Sequence, residues 1–512
     1  MIKQFGMAWL ITTRELVDQL RDWRVLVPMI VLTAFFPYLM TVAAQTAINY
    51  LNQYGGNLIA ERLLPFLILV VGFFPVTVSL VVALEAFVGE KERGTIEPLL
   101  TSPLADWQLY LGKLMAGTLV PLTVSYIGIL LYMLGLWRQQ IAWPEFGFIA
   151  QTLALTAVQT VLMVSAAIVI STQSTTVRAA NLLASFIVIP VALLIQGESA
   201  LMFWGTNQIL WLAVFGVAVM CGLIVRLGLV HFKRENLLGR EIDLLNLGWA
   251  WQTFWQAFSG SGTSPSVVRY LVARRRQGPD VPAEGQADSL GRAIRDDLSA
   301  VFTWYRIEVP RTLRRMSASI WIVAAIGLAA LLVAYFYVYS RVPANGLDVD
   351  TIRQAQTALR SSVAGNDRTP SFFFLHNIEA ELGILALGVF SFGVLGIVVY
   401  IGNFAIIGGV LATAKIVGVS PLLFLVAGIL PHGIFELPSI IFISAAVLYT
   451  GVELVTPREG RTIGETMLAS FADLTKVLLG VCVPLLVVAA FIESWVTIPV
   501  FIYYLGNLLP VK

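Results

Sequence analysis

The chain has 512 residues, of which 58% are hydrophobic and 12% charged, and its formal net charge is +2. Soluble domains carry about a quarter charged residues, so this composition excludes a soluble fold of that size. The near-neutral balance gives no electrostatic argument for a nucleic-acid partner. Cys221 and Cys482 both lie in apolar runs and are expected as buried thiols, neither a disulfide framework nor a metal knuckle.

Residues 1–24 lack the continuous apolar core of a secretory signal. They read as an amphipathic interfacial helix, with Phe5, Trp9, Leu10, Leu16, Val17 and Leu20 available for its apolar face. Six apolar runs follow, beginning near Val25, Leu63, Tyr110, Phe148, Ala179 and Gln208, and each of about 20 residues is long enough to cross a bilayer. A cytoplasmic N-terminus places Lys3, Arg14, Arg21, Arg24, Lys91, Arg93, Lys113 and Arg178 inside and only Arg62 and Arg138 outside, the bias that sets orientation.

After the sixth run the chain changes character: residues 232–318 hold 13 Lys/Arg and 9 Asp/Glu. Two stretches of linker composition, 259–266 and 278–288, flank the basic run VVRYLVARRRQ. A second apolar unit then begins. Residues 290–316 read as an interfacial helix, 320–339 as a seventh span, and 341–377 as a long outer loop. From Glu381 to Tyr449 charge is scarce; a last apolar run starts near Val477, and 493–510 reads as a short terminal segment. The expected fold is an all-α polytopic membrane protein of about 10–11 transmembrane helices in two helical units, 1–240 and 289–512, joined by a charged cytoplasmic linker at 241–288.

Two stretches carry chemistry. The first is GEKERGTIEPLLTSPLADWQLYLGK, residues 89–113, between the second and third runs. Glu90, Lys91, Glu92 and Arg93 alternate in sign as at a solvated helix end. Gly94 breaks that helix, and Ile96, Leu99 and Leu100 offer a short apolar face before Pro103. The pattern suits a docking surface for a soluble partner, or an ordinary charged connector. Glu90-Lys91-Glu92-Arg93-Gly94-Thr95-Ile96-Glu97-Pro98-Leu99-Leu100, with Ser102-Pro103 and Gly112-Lys113, closely resembles the signature of permease subunits of type-2 ABC exporters. The resemblance covers about residues 1–240. It implies that this loop is a coupling helix fitting a cleft on an ATPase subunit. No GxxxxGK[ST] phosphate loop is present, since GRTIGET at 460–466 lacks the lysine and the spacing; the ATPase is therefore expected to be a separate chain.

The second stretch is GILPHGIFELPSI, residues 428–440. Pro431 and Gly433 predict a broken or re-entrant helix inside an apolar run, tolerable only within protein or beside a water-filled cavity. His432 and Glu436 are four apart and share a helical face. Asn403 and Glu493, also in apolar surroundings, complete a possible polar cluster. Charges at membrane depth are costly, and three readings stand: a structural lock, a substrate or proton pathway, and a metal-dependent intramembrane hydrolase. For the last, HxxxE supplies two ligands, without HExxH and with only His231 and His376 besides. Asn377-Ile378 before a Gly-rich span, Gly402-Asn403, Leu430-Pro431-His432-Gly433-Ile434-Phe435-Glu436-Leu437-Pro438 and Phe491-Ile492-Glu493 resemble stage II sporulation protein M and its relatives over about residues 300–512. That likeness implies a multi-pass membrane unit without a defined activity.

Together these features predict a non-enzymatic permease subunit of an ABC-type exporter in the plasma membrane. It would bind no cofactor or metal itself, drawing on ATP and Mg through an ABC ATPase subunit that docks on Glu90, Lys91, Glu92, Arg93, Gly94, Thr95, Glu97, Leu99 and Leu100. A second permease half, as a homo- or heterodimer, and the lipid bilayer complete its expected partners. The alternative is a membrane scaffold for an envelope or cell-wall remodelling complex.

Overall fold

The computed structural model describes residues 2–54, 57–94, 103–174, 176–177, 180–181, 191, 194–195, 197–198, 207–232, 247–260, 286–341, 369–416, 418–456 and 462–508. The described residues are helical apart from turns and short connections, and they fall into two compact units, 1–245 and 246–512.

The first unit contains α1 (Ile2–Arg21), α2 (Trp23–Tyr54), α3 (Asn57–Glu92), α4 (Asp106–Arg138), α5 (Phe146–Gln173) and α6 (Asn207–His231). Its core joins α1, α3, α4 and α5 through Ile11, Leu84, Phe87, Leu109, Tyr110, Val164 and Ile168. The second unit contains α7 (Leu247–Ser259), α8 (Gln286–Thr303, continuing to Val309–Arg315), α9 (Ser317–Ser340), α10 (Pro370–Phe390), α11 (Val394–Ile416), α12 (Pro421–Phe424, continuing to Leu430–Val455) and α13 (Ile463–Val477, continuing through Val483–Ile492 to Ile498–Leu508). Here α9 packs on α11, where the Tyr400 hydroxyl donates to the Val323 carbonyl at 3.0 Å inside the core. Helix α7 lies within the stretch read as linker. It stacks Trp251, Phe254, Trp255 and Phe258 along one side and passes the stack to Trp304, whose indole N–H donates to the Phe258 carbonyl at 2.8 Å.

Among the described residues nine helices are long and apolar enough to cross a membrane, and Leu63–Thr77 forms a shorter apolar helix. The expected span near Ala179 lies largely outside the described residues. Five of the nine belong to the second unit: Ser317–Ser340, Pro370–Phe390, Val394–Ile416, Pro421–Val455 and Gly464–Phe501.

Proline shapes the second unit in a way the sequence reading misjudged. A proline inside a helix removes a hydrogen bond and pushes its ring against the carbonyl four residues earlier. At Pro310, Pro431, Pro484 and Pro499 the preceding residue instead donates to the carbonyl five residues back, closing a π turn. The donors are Val309, Leu430, Val483 and Ile498, and their acceptors are Trp304, Leu425, Leu478 and Glu493. The wider turn moves the offending carbonyl aside and lets the chain stay helical. The expected break or re-entry at Pro431–Gly433 is therefore a π turn at Leu425–Ile429 within one helix. For the same reason the expected separate segments from 477 and 493 run together as α13.

Candidate functional site

Two sets of polar side chains stand out, one in each unit. The first surrounds the 89–113 loop. Lys113, with its side chain 2% exposed, sits at the start of α4 and reaches two carboxylates, Glu15 on α1 and Glu90 on α3, each at 3.0 Å. It also donates to the Ala86 carbonyl at 2.8 Å and lies over the Phe87 ring at 5.0 Å. A buried ammonium requires compensation of this kind. Gly112 makes the geometry possible: a Cβ there would come within 2.8 Å of Ile11, so only glycine lets α1 lie directly on α4. The Thr12 hydroxyl bonds the Gly112 carbonyl at 3.1 Å.

The same loop is latched to the end of α5. The Lys91 ammonium donates to the carbonyls of Thr172 and Ser174 at 2.9 and 3.0 Å. Glu92 accepts from the Val177 amide at 2.7 Å. The Ser171 hydroxyl accepts from the Phe87 and Val88 amides at 3.1 Å and donates to the Leu84 carbonyl. Burial pushes the Lys91 ammonium down to about 8. Gly94 then turns the chain at φ +69°, a left-handed conformation that favours glycine, with open space around it. Arg93 is exposed. Thr95, Glu97, Leu99 and Leu100 lie outside the described residues.

The second set lies where α10, α12 and α13 meet. His432 Nδ1 is 3.1 Å from the Thr497 hydroxyl, and its Nε2 is 3.7 Å from Glu436 Oε2. Glu493 joins them, so that one ligand atom from each of the three residues lies within 4.8 Å of the other two. Thr497 is placed by the π turn Glu493–Thr497, which carries both Glu493 and Thr497. Asn403 behaves differently from the expectation: the bond recorded for its amide runs to the Val399 carbonyl of its own helix, at 3.0 Å. An asparagine within an apolar helix can satisfy itself locally in this way.

Sequence reading did not place Glu381 in this set, and it named Asn377 only within the sporulation-M resemblance. Glu381 on α10, 2% exposed, accepts from the Ser439 hydroxyl and stands within electrostatic reach of Glu436. Its Oε2 has no hydrogen-bond partner. Asn377, one turn earlier, turns its side chain toward Glu436 without closing a hydrogen bond through its amide nitrogen. The available signal was an acid four residues after an asparagine within an apolar helix. Cys482 packs against the same place, 3.5 Å from the Ser439 carbonyl.

The comparisons with known proteins match two family models, the first of which runs past the boundary between the compact units. The family model described as ABC-2 family transporter protein matches residues 9–344, well over half the chain. The model for stage II sporulation protein M matches residues 318–498, overlapping the first across most of α9. No curated protein matches the sequence. The match over 9–344 makes the chain a member of the ABC-2 family of transporter proteins, joined to a stage II sporulation protein M region.

Proposed function

We infer that the chain is the permease subunit of an ABC-type exporter, worked by a separate ATPase that docks on the 89–113 loop at the cytoplasmic face of the plasma membrane. The observation that carries this reading is the latch behind the loop. Glu90 is held to Lys113 on α4, which also holds Glu15 on α1, while Lys91 and Glu92 bond the end of α5 and the residues just beyond it. A push on a loop tied to one helix would be absorbed by bending. A push on this loop is delivered to α1, α3, α4 and α5 together, which is what a domain converting ATP-driven closure into helix movement requires. Transport then involves no catalytic group of this chain; ATP and Mg belong to the partner, and a second permease half completes the pathway.

The test is co-purification with an ABC ATPase encoded beside it, followed by ATP hydrolysis measured in reconstituted vesicles. Glu92→Ala should loosen the loop from Val177 and reduce coupled hydrolysis while the permease still folds; Gly94→Pro, which cannot adopt a positive φ, should do so more severely. Failure of any such ATPase to bind the wild-type chain would overturn the reading.

A further inference from the structure

The second unit gathers two carboxylates, Glu436 and Glu493, around one imidazole, with a third, Glu381, within electrostatic reach of Glu436. None of the three pairs with a lysine or arginine among the described ion pairs. Among the same residues the other ion pairs answer a carboxylate with an ammonium or guanidinium, as in Lys113 with Glu15 and Glu90 or Arg315 and Lys476 with Asp473. A cluster of acids at membrane depth with no basic partner is expensive unless the acids take up protons or a cation from outside completes it.

The imidazole is arranged as a metal ligand is. Its Nδ1 is engaged by the Thr497 hydroxyl at 3.1 Å, which fixes the ring and leaves Nε2 directed at the acids. A histidine that binds metal through one nitrogen commonly bonds a supporting group through the other. The 3.7 Å between Nε2 and Glu436 Oε2 is too long for a hydrogen bond but suits two ligands of one ion. Ligands at about 2.0–2.2 Å from zinc lie roughly 3.4 Å apart in a tetrahedral site. The outer limit of 4.8 Å across the three ligand atoms closes with a small rotation of a glutamate. Beside them, Glu381 on α10 is buried, accepts from the Ser439 hydroxyl and stands within electrostatic reach of Glu436.

We propose that His432, Glu436 and Glu493 form a binding site for a divalent transition-metal ion of the zinc class. His432 and the two carboxylates are the ligands, Thr497 orients the imidazole, and Glu381 supports the charge without ligating. The mixed nitrogen and oxygen donor set selects zinc or its neighbours over calcium or magnesium, which prefer oxygen alone. The site stands independently of the ATPase reading, because it lies in the other unit and none of its residues belongs to the 89–113 loop.

The experiment uses the full chain, purified in detergent without an affinity tag and stripped with a chelator, then titrated with Co(II) as the probe. Bound metal is counted by mass spectrometry, and ligand type is read from the visible absorption of the ion. A single ion per chain is expected. It should be lost in His432→Ala and Glu493→Gln and kept in His376→Ala, which removes a histidine outside the cluster. Thr497→Val retains every ligand and should bind about 10–100-fold more weakly; it decides the matter if the ligand variants do not fold. Absence of stoichiometric Co(II), or binding that His432→Ala and Thr497→Val leave unchanged, overturns the proposal.

Discussion

The two clusters handle buried charge in opposite ways. Around the 89–113 loop each acid in the latch meets a base or a backbone amide: Glu15 and Glu90 share Lys113, and Glu92 takes the Val177 amide. Where α10, α12 and α13 meet, Glu381, Glu436 and Glu493 stand together with one imidazole and no described lysine or arginine partner. A network in which each acid has a partner holds helices in register and is weakened by losing any member. An acidic one is relieved by protons or by a cation that binds it. The same substitution chemistry should therefore act with opposite sign in the two places.

The largest effect is expected from Lys113→Met. It strands Glu15 and Glu90 against α4 without their cation, and removing one partner of a buried network costs about 3 kcal/mol. Thermal unfolding of the detergent-solubilised chain should show a clearly lower midpoint. Adding Glu90→Gln to the variant should recover part of the loss, because it removes one of the stranded charges. If the single variant unfolds at the wild-type midpoint, the network is a surface decoration and the contrast between the units fails.

Paired neutralisations sharpen the contrast further. Glu90→Gln should lower stability by about 1.5–3 kcal/mol, the worth of a hydrogen bond to a charged group. Glu493→Gln, measured in chelator at alkaline pH where the acids are ionised, should raise it on the order of 1 kcal/mol by relieving a like-charge contact. With Co(II) present the sign at Glu493 should reverse, since a ligand has been removed. A loss of stability for both variants in chelator would mean that the second cluster is internally balanced after all.

How legible these features were in the sequence follows from what each depends on. The spans were readable because a long apolar run has few other uses. His432 and Glu436 were readable because i,i+4 spacing puts them on one face and the surrounding residues are almost uncharged. Glu493 was also picked out, though its meeting with them depends on how α12 and α13 pack. Glu381 and Thr497 were not found, since their roles exist only after the helices are assembled. The π turns were misjudged for a local reason. Proline predicts a disturbance, but whether the chain breaks or widens depends on whether the surrounding helices keep it helical, as they do at Pro431, Pro484 and Pro499. Gly112 and Lys113 were visible as a motif, yet nothing in the string reveals that Lys113 points back to Glu15 nearly a hundred residues earlier.

A smaller effect is expected at Gly94, where φ is +69° and a Cβ would meet nothing within 4 Å. Gly94→Ala therefore bears only the backbone cost of a left-handed conformation, about 1 kcal/mol. If the unfolding midpoint falls much further, the turn is held by contacts beyond its backbone.

The smallest effect tests whether the first unit is as well balanced as its ion pairs suggest. Lys91 is the exception there, since it answers two carbonyls and no carboxylate among its recorded bonds. Burial lowers its ammonium from the ordinary 10.5 to about 8, so the folded chain holds that proton less tightly than the unfolded chain. Between those two values the unfolded state carries more protons, and stability rises with pH. Below about 8 both states are charged and Lys91 contributes no slope, leaving the full cost of burying its charge in place. Lys91→Gln removes the titration, so the wild-type midpoint should climb relative to the variant as pH rises through that window. Parallel curves for the two proteins would place Lys91 in contact with water and remove the only uncompensated ammonium from the latch. The division between a paired cluster and an acidic one would then be sharper than the described bonds make it.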